Sequence, residues 1–307
     1  MNVLSLFDGI SCGRIALERA GIPVTNYYAS EIDKYAIQIS KKNYPEIKHI
    51  GSVTKCYIPK NCHIDLLIGG SPCQGFSFAG TMLNFEDPRS KLFFEYVRIL
   101  KEIRRYNPDV KFLLENVIME KWCENLISEL LEVKPLEINS QLVSAQQRKR
   151  LYWTNIDNNI KQPAQRNIVL KDIVLEKELN YENTFYEGNF KEWLLNKNIT
   201  SFKSCNGMDV KVTKEKTFLA NERRVSKTRG LNGKSTCLTC SSISVAGSGG
   251  IALYINGIHR KISSLEAERL QNVPDNYTHG LSDNKRIHAL GNGWNVNTVQ
   301  HIFSYLK

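Results

Sequence analysis

The sequence predicts an α/β fold built on a mostly parallel sheet. Three observations lead there: short apolar runs that end in glycine turns, helical periodicity between those runs, and a change of character in the middle of the chain. The first run, NVLSLF at 2–7, stops at Asp8-Gly9, and a helical pattern follows from about Gly13 to Ala20, closed by Gly21. YYASE (27–31), IDLLIGG (64–70) and VKFLLEN (110–116) are further candidates for buried strands. Between the last two, Leu92, Phe93, Tyr96, Leu100 and Ile103 recur at three- and four-residue intervals, which marks one face of a helix. Strands alternating with helices imply parallel strands covered on both faces.

After about Ile156 the alternation fades into a Lys- and Asn-rich stretch that includes AGSGG at 246–250. The chain is thus expected to hold a larger domain, 1–155 with 259–307, and a smaller one, 156–258. A Ser263-x-x-Glu266 capping pattern opens a helix in the returning segment. GNGWNV (291–296) then leads into a last amphipathic helix carrying Val299, Ile302, Phe303 and Leu306.

A chain of 307 residues with 42% apolar content can bury a full α/β core plus one appended unit, which argues against a disordered tail. MNVLSLFDG has no basic leader region, and no run reaches the roughly 18 apolar residues of a membrane span, so a cytoplasmic location is expected; the oligomeric state is open, with a monomer favoured. Eight cysteines at irregular spacings read as reduced thiols. Cys237 and Cys240 form a CxxC pair without a second pair or a His pair at matching distance, so no metal is expected. The net charge is +10, and the stretch from Lys191 to Lys234 alone carries +7. A phosphate backbone is the simplest partner for it.

The turn Asp8-Gly9-Ile10-Ser11-Cys12-Gly13 lies at the carboxyl end of a strand, where α/β sheets bind nucleotide-like ligands. Glu31, at the end of the second strand, is placed to accept hydrogen bonds from both ribose hydroxyls. The GxGxxG spacing for a pyrophosphate is missing, which points to a nucleoside without phosphates. GGSPCQGFS (69–77) follows the third apolar strand directly, so Cys73 stands at the same edge on a backbone stiffened by Pro72.

FDGISCG, GGSPCQGFS, LLENV, Gln146-x-Arg148-x-Arg150 and GNGW occur in the order of one family, and the chain resembles the cytosine-C5 DNA methyltransferases over 1–156 and 259–307. YYASE, SKLFFEYVRIL and VSAQQRKRLYWTN look most like the eukaryotic de novo subgroup, whereas PCQ looks bacterial, so a bacterial or phage enzyme is expected. The resemblance implies a Rossmann-like, S-adenosylmethionine-dependent methyltransferase fold with a smaller target-recognition domain, 156–258. It implies modification of double-stranded DNA, either in restriction-modification or in phage self-protection. A transfer-RNA cytosine methyltransferase and a catalytically inactive DNA-binding module are the alternatives; intact Cys73, Glu115 and Arg150 speak against the second.

The chemistry calls for these residue types. Carbon 5 of cytosine is too electron-poor to take a methyl group, so a thiolate, here that of Cys73, first adds to C6 and makes the ring an enamine. A free thiol is only about 3% ionised at pH 7, so the site must favour the thiolate. The resemblance assigns the proton at N3 to Glu115, expects Arg148 to pair with Glu115, and has Arg150 hold O2. Because a free glutamate is about 0.2% protonated at pH 7, the proton is expected to be shared in the intermediate.

By the same resemblance Phe7, Asp8, Gly9, Ile10, Cys12, Glu31 and Ile32 surround the cofactor, together with Ser52, Val53, Pro72, Leu92, Asn292 and Trp294. Many family members carry Asp where Ser52 stands, so weaker or rearranged adenine recognition is expected. The target base must leave the duplex to reach Cys73, and the loop from Gln74 to Ser77 is expected to fill the gap. Arg223, Arg224 and Arg229 are the candidates for base-edge or phosphate contact.

Overall fold

A computed structural model describes residues 1–58, 63–72, 91–175, 198, 201–203, 209–211, 232–242, 251–255 and 258–306. The chain forms two compact units. Met1–Ser140, Lys149–Pro163 and Gly293–Lys307 make the first; Gln141–Arg148 and Ala164–Asn292 make the second. This division follows packing, whereas the division expected at 156–258 is one of function.

The first unit is built on seven strands: β1 (Asn2–Leu6), β2 (Asn26–Ser30), β3 (Lys48–Gly51), β4 (Leu66–Gly69), β5 (Lys111–Val117), β6 (Leu136–Asn139) and β7 (Lys149–Thr154). Their order is β3-β2-β1-β4-β5-β7-β6. β1 to β5 run parallel, and β7 is antiparallel to both of its neighbours. The mostly parallel sheet is the expected one. Its central strand, β4, has no polar side chain because both faces are covered, and every one of its residues is buried. The chain winds outward from β1 in both directions, so β1 and β4 flank the point where strand order reverses, and ligands of open α/β sheets bind there.

Helices α1 (Cys12–Arg19), α2 (Lys34–Asn43), α3 (Lys91–Arg104) and α4 (Lys121–Leu131) connect these strands. The periodic face foreseen for α3 is real: Phe93, Tyr96, Leu100 and Ile103 join Leu4, Leu6, Leu67, Phe112 and Leu114 in one core. Each large apolar side chain buried there contributes roughly 1.5–3 kcal/mol. Asp33 starts α2 by accepting the N–H groups of Tyr35 and Ala36.

The second unit holds a four-stranded sheet, β8 (Ser201–Lys203), β9 (Asp209–Lys211), β10 (Ala252–Ile255) and β11 (Ile258–Lys261), in the order β10-β11-β8-β9. Helix α5 (Ser264–Gln271) opens with the capping box expected from Ser263 and Glu266. Glu268 of α5 is fully buried and satisfied by Thr278 N, Asn276 N and Arg286 Nη2 at 2.8, 2.8 and 2.9 Å. Helix α6 (Asp283–Asn292) was not legible in the sequence, because it ends inside GNGW. Gly291 sits there because a Cβ would lie 2.2 Å from the carbonyl carbon of Thr239. The last helix, α7 (Val296–Phe303), belongs to the first unit and buries Val299, Ile302 and Phe303 as expected; Leu306 lies beyond its end. AGSGG (246–250) lies outside the described residues.

Candidate active site

The turn after β1 is unusual for its backbone. Phe7, Gly9 and Ser11, alternate residues, all take left-handed φ values of 57°, 60° and 61°. Only Gly9 does so without strain, since side chains at the other two crowd the backbone. Glu31, at the end of β2, locks the turn: its Oε2 accepts the N–H of Gly9 at 2.8 Å. Its Oε1 accepts the N–H groups of Ile32 and Asp33 at 2.7 and 2.8 Å. Oε2 retains capacity for a further donor. Beside it, Ile32 leaves 77% of its surface exposed, and nothing lies within 4 Å of a Cβ placed on Gly9. An acceptor carboxylate, an open glycine turn and an exposed apolar side chain fit a nucleoside of the S-adenosylmethionine type.

Below the turn, Asp8 accepts the hydroxyls of Tyr27 at 2.7 Å and Ser11 at 2.5 Å. Ser11 Oγ meets Ser40 Oγ at 2.7 Å, and Ser40 Oγ meets His49 Nε2 at 3.3 Å, so a chain of hydrogen bonds runs from the turn after β1 to β3. Burial pushes the Asp8 carboxyl from 3.8 up to about 6, against the opposing pull of these hydroxyls. Because the folded-state value is the higher one, a charged Asp8 costs stability at neutral pH. That cost vanishes as the pH falls through 6 towards 4. Urea titrations of wild type and Asp8→Asn should therefore show wild type gaining on the variant by about 2 kcal/mol between pH 7 and pH 4. A constant difference would show that Asp8 does not titrate in this range.

The exit of β4 is held from three sides. A Cβ on Gly69 would lie 3.0 Å from Leu6 O and from the Tyr96 ring. On Gly70 it would lie 2.8 Å from Trp294 Nε1 and 3.1 Å from Glu115 Oε2. The same indole comes within 3.5 Å of a Cβ placed on Gly13. Trp294 thus spans from the cofactor turn to the strand that leads to Cys73. Gly70→Ala should push the indole aside, destabilising the protein by about 1–3 kcal/mol in urea unfolding and lowering methyl transfer.

Glu115 on β5 and Arg150 on β7 form an ion pair, Nε to Oε1 at 2.9 Å, with side chains 12% and 14% exposed. The register explains it: Val117 pairs with Arg150 and Glu115 with Tyr152, so Glu115 and Arg150 are diagonal neighbours on one face. This corrects the expectation that Arg148 is the partner of Glu115. Arg148 precedes β7 and belongs to the second unit, where its Nη1 donates to Leu238 O at 2.7 Å and its Nη2 to Gly291 O at 3.3 Å.

Phe7, Asp8, Gly9, Ile10, Cys12, Glu31, Ile32, Ser52, Val53 and Pro72 all lie at or just beyond the carboxyl ends of β1 to β4. Ser52 uses its Oγ on Thr54, 2.9 Å from Thr54 Oγ1 and 3.4 Å from its N–H. Leu92 is half-buried at the start of α3, and Trp294 precedes α7. Asn292 ends α6 in the second unit. Cys73, Gln74, Ser77, Arg223, Arg224 and Arg229 lie outside the described residues. Tyr27, Ser40 and Asn116 support the site without having been singled out in the sequence. The first two stand within apolar or helical runs, and Asn116 within LLENV was read only as part of a motif. Among the described residues no cluster of His, Cys, Asp or Glu could hold a metal, and no helix is long and apolar enough to cross a membrane.

Sheet order, glycine turn and edge carboxylate define the class: an open α/β sheet with a site for a nucleoside-type ligand at its carboxyl edge. The profile of the C-5 cytosine-specific DNA methylases matches residues 1–307, and the chain belongs to that family, the DNA cytosine-C5 methyltransferases. Type II methyltransferase M1.ScrFI of Lactococcus lactis subsp. cremoris is 30% identical over 328 residues, 98% of this chain and 76% of that protein. Type II methyltransferase M.HhaI of Haemophilus parahaemolyticus is 29% identical over 320 residues, 98% of this chain and 93% of that protein. The solved structure of Entamoeba histolytica methyltransferase EhMeth superposes with a TM-score of 0.69 at 19% identity, covering 100% of this chain and 97% of that one, a likeness of fold.

Proposed function

We propose that the protein methylates carbon 5 of cytosine in double-stranded DNA through a covalent intermediate on Cys73, with the base flipped out of the helix. The observation that carries this reading is the Glu115–Arg150 pair at the sheet edge, with Glu115 Oε2 beside Gly70, three residues before Cys73. The Cys73 thiolate forms a bond to C6, and the displaced π electrons make C5 nucleophilic and N3 basic. Glu115 shares a proton with N3, and Arg150 stabilises the negative charge developing at O2. S-adenosylmethionine, when bound, supplies the electrophilic methyl group. The C5 proton then passes to water, its electron pair re-forms the C5–C6 double bond, and the C6–S bond breaks with its pair returning to sulfur, which restores the thiolate and the aromatic ring.

Gly9, Glu31, Ile32 and Trp294 are the residues that would hold the cofactor. Gln74 to Ser77 would fill the vacated place in the duplex. Residues 156–258 would read the DNA, with Arg223, Arg224 and Arg229 the first to test. Protection of DNA, in a restriction-modification pair or by a phage, is the role that fits this activity.

The test is to express the protein, sequence host DNA after bisulfite treatment, and measure transfer of labelled methyl to DNA and to total RNA. Labelled DNA with new bisulfite-resistant cytosines is expected. Methylated RNA with unmodified DNA would overturn the reading.

A further inference from the structure

Asn116 and Ser71 are 2% and 5% exposed, yet both are polar, so their hydrogen bonds are tied to the way this region is built. Asn116 Oδ1 accepts the N–H of Val117 at 2.8 Å, which fixes the amide on β5. Its Nδ2 donates to Ser71 Oγ at 3.1 Å and to Ser71 O at 3.4 Å. The parallel register of β4 and β5 ends with Gly69 opposite Leu114. Continued by two positions, it would bring Ser71 opposite Asn116. The backbone ladder stops there, and the Asn116 amide takes over its function. Glu115, one residue earlier on the strand, faces the opposite side, where it meets Arg150.

We propose that Asn116 is a positioning residue for the nucleophile: its carboxamide extends the β4–β5 ladder, fixes the backbone at Ser71, and so anchors the stem that ends at Pro72, one residue before Cys73 in the sequence. One strand thereby handles both partners of the addition, with Glu115 facing the base and Asn116 holding the stem of the attacking residue. A buried amide that merely satisfied the Ser71 hydroxyl would affect stability and nothing else. A stem that fixes the attack geometry affects the rate of bond formation, where a misplacement of about 1 Å costs on the order of 100-fold.

This inference rests on Cys73 being the nucleophile, and the test separates the two. The probe is a random-sequence duplex copied with 5-fluorodeoxycytidine triphosphate, given at saturating concentration with saturating S-adenosylmethionine. Formation of a denaturant-resistant protein–DNA adduct is timed for wild type, Asn116→Ala, Ser71→Ala and the double variant. Asn116→Ala should form the adduct about 10- to 100-fold more slowly, with dissociation constants for cofactor and DNA within about threefold of wild type. Ser71→Ala should be slowed at least about threefold at an unchanged melting temperature, and the double variant should be no slower than Asn116→Ala, since Asn116→Ala already removes the link that Ser71→Ala removes. A wild-type rate in a folded Asn116→Ala or in Ser71→Ala overturns the inference, as do effects that multiply in the double variant. If Asn116→Ala does not fold, Ser71→Ala alone decides. A wild type that forms no adduct, or a Cys73→Ser variant that does, overturns the reading of the nucleophile instead.

Discussion

Cys73→Ser is expected to form no denaturant-resistant adduct with 5-fluorocytosine DNA and to lose methyl transfer by roughly 10⁴-fold or more. The reason is the nucleophile itself. A thiol with an ordinary pKa near 8.5 is a few per cent ionised at neutral pH, whereas a serine hydroxyl is essentially never ionised without a dedicated base. Binding should survive, because the contacts that fit the cofactor belong to Gly9, Glu31 and Ile32, which the substitution leaves unchanged. Cofactor and DNA affinities near those of wild type, together with lost turnover, are the expected signature, read by equilibrium titration and single-turnover methyl transfer. A serine variant that still crosslinks would move the nucleophile elsewhere in the chain.

Glu115→Gln is expected to lower the single-turnover rate by about 10²–10⁴-fold, the range for loss of a positioned acid–base group. Glutamine keeps the shape, and its carbonyl oxygen can still accept the Arg150 Nε bond that the carboxylate accepts at 2.9 Å. The variant therefore removes the proton-sharing group while sparing the geometry. Arg150→Ala tests the other half of the pair. It leaves a carboxylate only 12% exposed without this partner, so a loss of stability by a few kcal/mol should accompany a rate loss of about 10²–10³-fold. Equal rates for wild type and Glu115→Gln would remove Glu115 from the chemistry.

The central strands were readable because a parallel strand buried on both faces is a continuous apolar run: NVLSL and LLIG look like β1 and β4 in one dimension. The helix α3 was readable because its buried side chains repeat with the helical period. The motif order made Cys73, Glu115 and Arg150 stand out without any coordinates. Strand β7 was harder to see, because its sequence KRLYWT mixes charge with aromatics. Helix α6 was missed because Gly291 normally reads as a break, and only the close backbone of Thr239 explains a glycine there.

What the tertiary structure decided is pairing. Sequence order brings Arg148 and Arg150 equally near Glu115, and the resemblance chose the first. The antiparallel register of β5 and β7 selects Arg150, because alternate residues of a strand face opposite sides and only a diagonal neighbour on the same face comes within reach. The raised pKa of Asp8 likewise comes from burial, which no local pattern announces and which outweighs the lowering by the hydroxyls of Ser11 and Tyr27. Local residue types and their order therefore determined the chemistry available to this protein. Register and burial, which depend on contacts between distant segments, decided which side chains act on one another.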